Sequence, residues 1–355
     1  MEYIDMSWKG SGRVYAEGSN RLILWRMYDN ALYLLDCSLN NTYGSNSITF
    51  QLPGVIARNG IGVFETSTEL IVGALTVSNT IHRLRFEKRQ DVSLFHQLSS
   101  TMKQDSDTLN DIPYDVVISA VEWASKDLVA IGLSNGRVAL HALEGHSFKY
   151  LEDAATGGVP FFSSKTNLEQ VSILSVATLP IGRGTDFIVA AIATSGNLRL
   201  WSARDQSCRC SINVVSNMCT ELRQMHLPCQ PVEEIQTGMI KFMKSFPGDD
   251  FRLMVNASPA IDGIWLCRGK WKDHSCSMNV VRPFFLPLQY QRMNLVDFIP
   301  DMEVMTSIWE THGGIGFQDI QVVCCHEKPG AATGPEYIVG PVLRERPRAN
   351  GLRLS

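Results

Sequence analysis

Cysteine and histidine are the residues of this 355-residue chain best suited to chemistry, and there are nine of the first and eight of the second. Two groupings have the look of metal ligands: Cys208-x-Cys210 and Cys324-Cys325-His326. Paired zinc ligands usually have two or four residues between them, because the loop must curl around the ion. One spacer residue, or none, leaves that loop too short, and adjacent strand residues point to opposite faces. Both groupings therefore read as plain thiols. The cysteine count is odd and the spacing irregular, and Cys267 sits in the strand-like run Ile264-Trp265-Leu266-Cys267. The reading is one of reduced, mostly buried thiols in an intracellular protein. His82 and His141 hold similar places after two hairpin turns. They are either ligands lining a central channel or a recurring position that packs or hydrogen-bonds inside a sheet, and their scatter favours the second. No phosphate loop, dinucleotide fingerprint, His-Glu-x-x-His or Gly-x-Ser-x-Gly occurs. No catalytic, cofactor-binding or metal residue is nominated, no cofactor is expected, and the chain reads as a non-enzyme.

The elements that carry these residues are more informative. Asp186 begins a run of β-formers that ends in the turn Ser195-Gly196-Asn197 and continues as Leu198-Arg199-Leu200-Trp201. Asp127 begins a second copy, with the turn Ser134-Asn135-Gly136. Glu69 begins a third, in which Ser78-Asn79-Thr80 keeps the pattern without glycine. The acidic starts lie 58 and 59 residues apart. A single hairpin cannot bury both faces, and repetition around an axis solves that problem. The expected fold is all-β: a β-propeller of about six to seven blades, complete or incomplete, with short helical insertions. Leu198 and Leu200 should face its core. Trp201 should cover the seam between neighbouring sheets, the alternative being a surface hot spot for a partner.

Composition agrees with one large domain. Hydrophobic residues make up 45% of the chain and charged residues 19%, with a net charge of −4. There is no basic field to attract nucleic acid, so no direct nucleic-acid binding is expected. The first ten residues carry Glu2, Asp5 and Lys9 and show no secretory signal. The sequons at Asn40 and Asn256 are then accidental. Apolar runs such as Phe187 to Ala193 are too short to span a bilayer.

Arg13–Ala16, Arg21–Met27 and Ala31–Cys37 read as an opening meander, and Ser47–Leu52 and Ile61–Glu65 as strands that precede the Glu69 hairpin. Later hairpins are weaker: Phe251–Val255 with Gly263–Cys267, and Met302–Trp309 with Gly316–Cys324. Leu94 to Asp111 is polar and reads as a loop with a short helix. Met218 to Met243 approaches helical spacing and reads as an inserted helix. The propeller is expected over residues 1–327. Residues 328–355, with Lys328-Pro329-Gly330 and scattered arginines, should form a disordered or atypical tail.

Two segments carry a family resemblance. Leu75-Thr76-Val77-Ser78-Asn79-Thr80-Ile81-His82-Arg83-Leu84, and Asn197-Leu198-Arg199-Leu200-Trp201-Ser202 followed by Gln206-Ser207-Cys208, resemble strands of the large Y-complex (outer-ring) scaffold nucleoporins, the 160-kilodalton animal and 120-kilodalton yeast family. Met305-Thr306-Ser307-Ile308-Trp309 sits where that family carries a further Trp-bearing strand. The resemblance covers roughly residues 10 to 325 and implies the N-terminal β-propeller part only. The long helical region of the family has no counterpart here, so the sequence reads as a fragment, a truncated isoform or a mispredicted product.

The resemblance implies a structural component of the nuclear pore complex, located at the nuclear envelope and supporting transport of RNA and protein. It implies other Y-complex nucleoporins as partners and no small-molecule substrate. The alternative is a soluble β-propeller adaptor for protein–protein interaction outside the pore. Some propellers of that complex carry an inter-blade loop that meets curved membranes. Residues 154–168 here hold Val159, Phe161, Phe162 and Leu168 among Gly, Ser and Thr, and form a candidate loop of that kind. Pro160 and the poor apolar spacing favour a plainer role, with both phenylalanines tucked against their own sheet.

Overall fold

The computed structural model describes residues 10–15, 21–38, 46–88, 93–95, 102–152, 171–181, 186–226, 234–243, 250–258, 261–272, 275–285, 293–300, 304–312, 318–326 and 336–345, the last sheet through its backbone. These residues form six four-stranded sheets, each an antiparallel meander of strands consecutive in sequence. The first sheet contains β1 (Gly10–Tyr15), β2 (Arg21–Tyr28), β3 (Ala31–Ser38) and β4 (Asn46–Gln51). The second contains β5 (Ile56–Glu65), β6 (Glu69–Thr76), β7 (Thr80–Glu87) and β8 (Met102–Thr108). The third contains β9 (Ile118–Ser125), β10 (Leu128–Leu133), β11 (Val138–Ala142) and β12 (Ser147–Tyr150). The fourth contains β13 (Ile173–Ile181), β14 (Asp186–Ala193), β15 (Asn197–Ser202) and β16 (Cys208–Asn213). The fifth contains β17 (Thr237–Phe242), β18 (Asp250–Ser258), β19 (Ile261–Lys272) and β20 (Ser275–Phe285). The sixth contains β21 (Met293–Pro300), β22 (Val304–His312), β23 (Gln318–His326) and β24 (Glu336–Glu345). Six such blades are the β-propeller class that the hairpin repeat predicts.

The chain divides into two compact units, Met1–Ala193 with Leu200–Cys208 and Thr194–Arg199 with Arg209–Ser355. In the first unit, the opening strand of each sheet lies beside that of the next: β1 by β5, β5 by β9, β9 by β13. Three apolar clusters fill the spaces between its sheets. Ile23, Met27, Leu32 and Leu34 meet Leu70, Val72, Leu84 and Phe86. Leu75 and Ile81 meet Trp123, Val129, Ile131 and Leu133. Ala120, Ala130, Val138 and Leu140 meet Val189, Ala191, Ala193 and Trp201. The second strands β6, β10 and β14 are packed on both faces and lose the polar alternation of a half-exposed strand. In the second unit, β17 lies beside β21 and a single described helix, α1 (Val214–Gln224), packs on β19 and β20.

The recurring hairpins share one turn geometry. Asn79, Gly136 and Gly196 have φ of 61°, 77° and 75°, the left-handed region that glycine and asparagine tolerate. Asparagine thus replaces glycine in the copy that lacks it. Around Asn79, the Thr76 hydroxyl donates to the Thr80 carbonyl at 3.0 Å and accepts from its N–H at 3.2 Å. A Cβ at Gly196 would sit 2.7 Å from Val215 Cγ2, so the turn fits against the start of α1. Asn213 caps that helix by accepting from Ser216 N–H at 2.9 Å, while its Nδ2 donates to the Ser195 carbonyl at 3.0 Å.

Three expectations are corrected. The polar stretch Leu94 to Asp111 contains no described helix; its residues 102–108 form β8. A fourth strand needs only one paired edge, so exposed Lys103, Gln104 and Asp105 suit it. The Met218–Met243 helix ends at Gln224, and Thr237–Phe242 is strand β17. The expected tail supplies β24, which pairs with β23 from Gln318↔Glu345 to His326↔Glu336 and carries the sixth sheet beyond residue 327. The β-formers Tyr337, Ile338, Val339 and Val342 account for it. Asn256, one of the two sequons, is buried and donates to the Gly263 carbonyl at 2.7 Å.

Candidate functional site

Two features of the first unit stand out as places where the protein can meet something else. The first is the outer part of the seam between the second and third sheets. Ile81, Arg83 and Arg85 project from one side of β7, since Leu84 and Phe86 belong to the core on the other side. Arg83 donates to Asp105 Oδ2 on β8 at 2.9 Å and approaches Asp127 Oδ1 of the third sheet at 3.7 Å. Arg85 stands 3.7 Å from Asp105 Oδ2.

Asp107, two residues along β8, reaches the same neighbour. Its Oδ2 accepts from His141 Nε2 on β11 at 3.2 Å and from His146 Nδ1 at 2.8 Å. With Asp107 ionised, neutral rings must carry their protons at those two nitrogens. Ile81, Arg83, Asp105, Ser106, Leu143 and His146 border a cleft of about 250 Å³ beside this clasp. Partial burial pushes the Asp107 carboxyl up, but hydrogen bonds and charge from His146 and His141 outweigh it and hold the group below its ordinary 3.8. Burial pushes the His141 ring below 6.5, against the opposing pull of Asp107.

The second feature is the end of the sheets that carries the turns. Val77 N–H donates to the Val55 carbonyl at 2.8 Å, and Leu109 N–H to the Asn79 carbonyl at 2.8 Å. Ser134 N–H donates to the Val117 carbonyl at 2.9 Å, and Val117 N–H to the Ser134 hydroxyl at 3.0 Å. These bonds stitch the β4–β5, β6–β7, β8–β9 and β10–β11 connections into one surface. Val55, Val77, Tyr114 and Val117 stand exposed on it, Tyr114 completely, at 102%. Tyr150 links the surface to the seam, donating its hydroxyl to the Asp111 carbonyl at 3.0 Å beneath the Arg137 guanidinium, 3.7 Å from its ring centre.

The residues singled out from sequence fall in several places. Trp201 is 1% exposed, lies in the core between the third and fourth sheets, and donates to the Glu152 carbonyl at 2.8 Å. It is a seam residue, and Leu198 and Leu200 are fully buried as expected. His82 and His141 both face the preceding sheet, two positions apart by distance from the turn. His141 is paired, whereas both ring nitrogens of buried His82 lack a hydrogen-bond partner, and burial pushes its pKa below 6.5. Among the described residues, no group of three or more His, Cys, Asp or Glu could hold a metal ion. Cys219 is disulfide-bonded, which corrects the reduced-thiol reading there, while Cys208, Cys210, Cys267 and Cys276 are not. The side chains of Cys324, Cys325 and His326, and the loop with Val159, Phe161, Phe162 and Leu168, lie outside the described residues. Sequence reasoning missed Asp107, whose neighbourhood it read as a loop, and the exposed Tyr114, whose Pro113-Tyr114-Asp115 context carried the only signal.

Residues 21–313 match the family model for the nucleoporin Nup120/160 β-propeller domain. Among curated proteins, none matches the sequence. Among solved structures, the chain is similar to the Cps50 (Swd1) β-propeller domain of Myceliophteria thermophila, with a TM-score of 0.52 and 11% identity, covering 93% of this chain and 84% of that one. The Nup133 β-propeller domain of Vanderwaltozyma polyspora gives 0.46 and 12%, over 93% and 85% of the two chains. A chain of a mitotic checkpoint complex gives 0.46 and 10%, over 83% and 72%.

Proposed function

We propose, from the premise that this chain belongs to the Nup120/160 β-propeller family of nucleoporins, that it is a structural scaffold element of the outer-ring Y complex at the nuclear envelope. In that role it supports passage of RNA and protein by holding other nucleoporins in place. The match over residues 21–313 carries this reading. The surface bearing Tyr114, Val117, Val77 and Val55 suits it, because exposed aromatic and aliphatic side chains on a backbone-stitched base form a rigid contact patch. Tyr114 gives that patch an anchor with few rotamers to freeze.

A tagged chain should concentrate at the nuclear rim and co-purify with Y-complex nucleoporins. A diffuse signal with no co-purification overturns the assignment. Tyr114→Ala with Val117→Ser should weaken co-purification while the thermal midpoint stays put. Undiminished capture would remove the patch from the reading and leave the localisation result standing. Residues 154–168 are open to a separate test, flotation with small and large vesicles. Equal flotation of the native chain and a Phe161→Ser, Phe162→Ser variant, or none by either, rules out a membrane role for that segment.

A further inference from the structure

Resting on the scaffold reading, we propose that Arg137 makes the turn-bearing surface of the first unit a docking site for an apolar segment of a partner nucleoporin that carries one acidic side chain. Arg137 closes the β10–β11 turn. Its N–H donates to Asn135 Oδ1 at 3.2 Å, and its carbonyl accepts from the Leu133 N–H at 3.0 Å. Its guanidinium lies 3.7 Å over the centre of the Tyr150 ring. Stacking occupies one face of the guanidinium plane and leaves the donors along its edge open. Arg137 is exposed, and among the described residues no carboxylate pairs with it. Arg83 and Arg85 of the outer seam, in contrast, already have Asp105. A planar fork held by stacking loses little freedom on binding, and a carboxylate matches its parallel donors.

The turn that carries Arg137 is bonded to the loop that carries Tyr114. At one end of that loop, Ser134 and Val117 exchange hydrogen bonds at 2.9 and 3.0 Å. At the other, the Tyr150 hydroxyl donates to the Asp111 carbonyl at 3.0 Å. Between them the Val116 N–H donates to the Pro113 carbonyl at 3.0 Å, a β-turn with Tyr114 at its second position. The Tyr114 ring is fully exposed, and its hydroxyl has no partner among the described residues. A tyrosine and an arginine, both common anchors of interfaces, thus share one braced base with the exposed Val77 and Val117.

The neighbouring charges narrow the partner further. Asp111 and Asp115 are exposed on either side of Tyr114 in the chain. They disfavour a broadly anionic occupant, such as nucleic acid or an acidic lipid surface, by like-charge repulsion. One carboxylate on an otherwise apolar segment satisfies Arg137 and adds least to that repulsion.

The test is capture of Y-complex nucleoporins on the tagged full chain, with the captured proteins identified by mass spectrometry. Arg137→Glu should cut capture by roughly tenfold or more while the thermal midpoint stays near that of the native chain. Asp115→Asn should not cut it. In Arg137→Lys, zero-length carbodiimide coupling should join the introduced amine to an aspartate or glutamate of a captured nucleoporin. In the native chain, phenylglyoxal should modify Arg137 when the chain is free and spare it in the captured complex. Capture that Arg137→Glu does not weaken, or equal modification of Arg137 in the free and captured chains, overturns this proposal alone. So does carbodiimide coupling that runs only from Asp111 or Asp115 to a lysine of the partner, which would make the occupant basic. A native chain that captures no nucleoporin overturns the scaffold reading, and this inference with it. The phenylglyoxal comparison needs no substitution and decides the matter even where a variant fails to fold.

Discussion

Trp123 and Trp201 each donate an indole N–H to a backbone carbonyl of the preceding part of the chain, yet the surfaces that receive the two rings differ. Trp123, on the opening strand of the third sheet, lies over β5 and β6 and donates to the Gly60 carbonyl at 3.0 Å. A Cβ at Gly62 would come within 2.4 Å of its ring, and one at Gly73 within 2.2 Å. The ring thus occupies space that two absent side chains leave. Trp201, on the third strand of its sheet, shares a cluster with Val138, Leu140 and Leu151 and reaches the Glu152 carbonyl just past β12. Near the inner strands, an indole can lie flat only where the facing sheet is stripped to backbone. Farther out, the cluster keeps its aliphatic side chains and one carbonyl takes the indole N–H.

The largest effects should come from deleting either ring. Trp201→Ala and Trp123→Ala should each cost roughly 3–5 kcal/mol in denaturant unfolding. Trp201→Phe, which keeps most of the ring and loses the N–H, should cost at least the ~0.5–1.5 kcal/mol of one hydrogen bond. A loss for Trp201→Ala no greater than that for Trp201→Phe would make the bond, and not the packing, the basis of that seam.

Next come the glycines. Gly73→Ala should cost about 1–3 kcal/mol by overpacking in the native chain and distinctly less in a Trp123→Ala background. Additive losses in that cycle would show that the glycine serves its own strand and not the ring.

These two seams also mark what could be read beforehand. Trp201 stands inside the recurring hairpin, so its role followed from the repeat. Trp123 depends on Gly60, 63 residues away, and on two glycines in different strands. A single sequence does not show which distant segments meet, although glycine inside a strand pattern does signal close approach. The strand pattern was legible where both faces are apolar, as in β6, β10 and β14. It failed at β8, whose outward residues are nearly all polar and whose strand character comes from backbone pairing with β7. Missing β8 hid Asp107, and with it the clasp to His141 and His146.

Smaller effects concern protons in the outer seam. The His82 and His141 rings are held below 6.5 in the folded state, so folding should be unaffected by them well above that pH and lose stability as pH falls through it. Asp107, held below 3.8, contributes stability that is lost as pH falls below that value. Urea midpoints at pH 8, 6 and 5 should fall in that order, and a flat profile would contradict the assignment. Asp107→Asn at pH 8 should cost about 1 kcal/mol, since the site is partly solvated.

A comparably small change is expected at the seam between the first and second sheets. His82→Leu should shift stability at pH 8 by less than about 1.5 kcal/mol, because the ring it removes has no hydrogen bond to lose. It should also flatten part of the loss between pH 7 and 5. An equally steep profile in the variant would assign that loss to His141 and other groups.

The burial gradient within each sheet has a consequence in time. Leu70 on β6 and Val129 on β10 are 0% exposed, whereas Lys103 on β8 and Lys149 on β12 face solvent. In heavy water, amides of the fourth strands should take up deuterium through local opening within minutes to hours. Those of the second strands should wait for unfolding of the whole unit. A partner seated on the turn-bearing surface would slow the β8–β9 connection and leave β6 unchanged. Deuterium uptake would therefore locate that partner's footprint without any substitution.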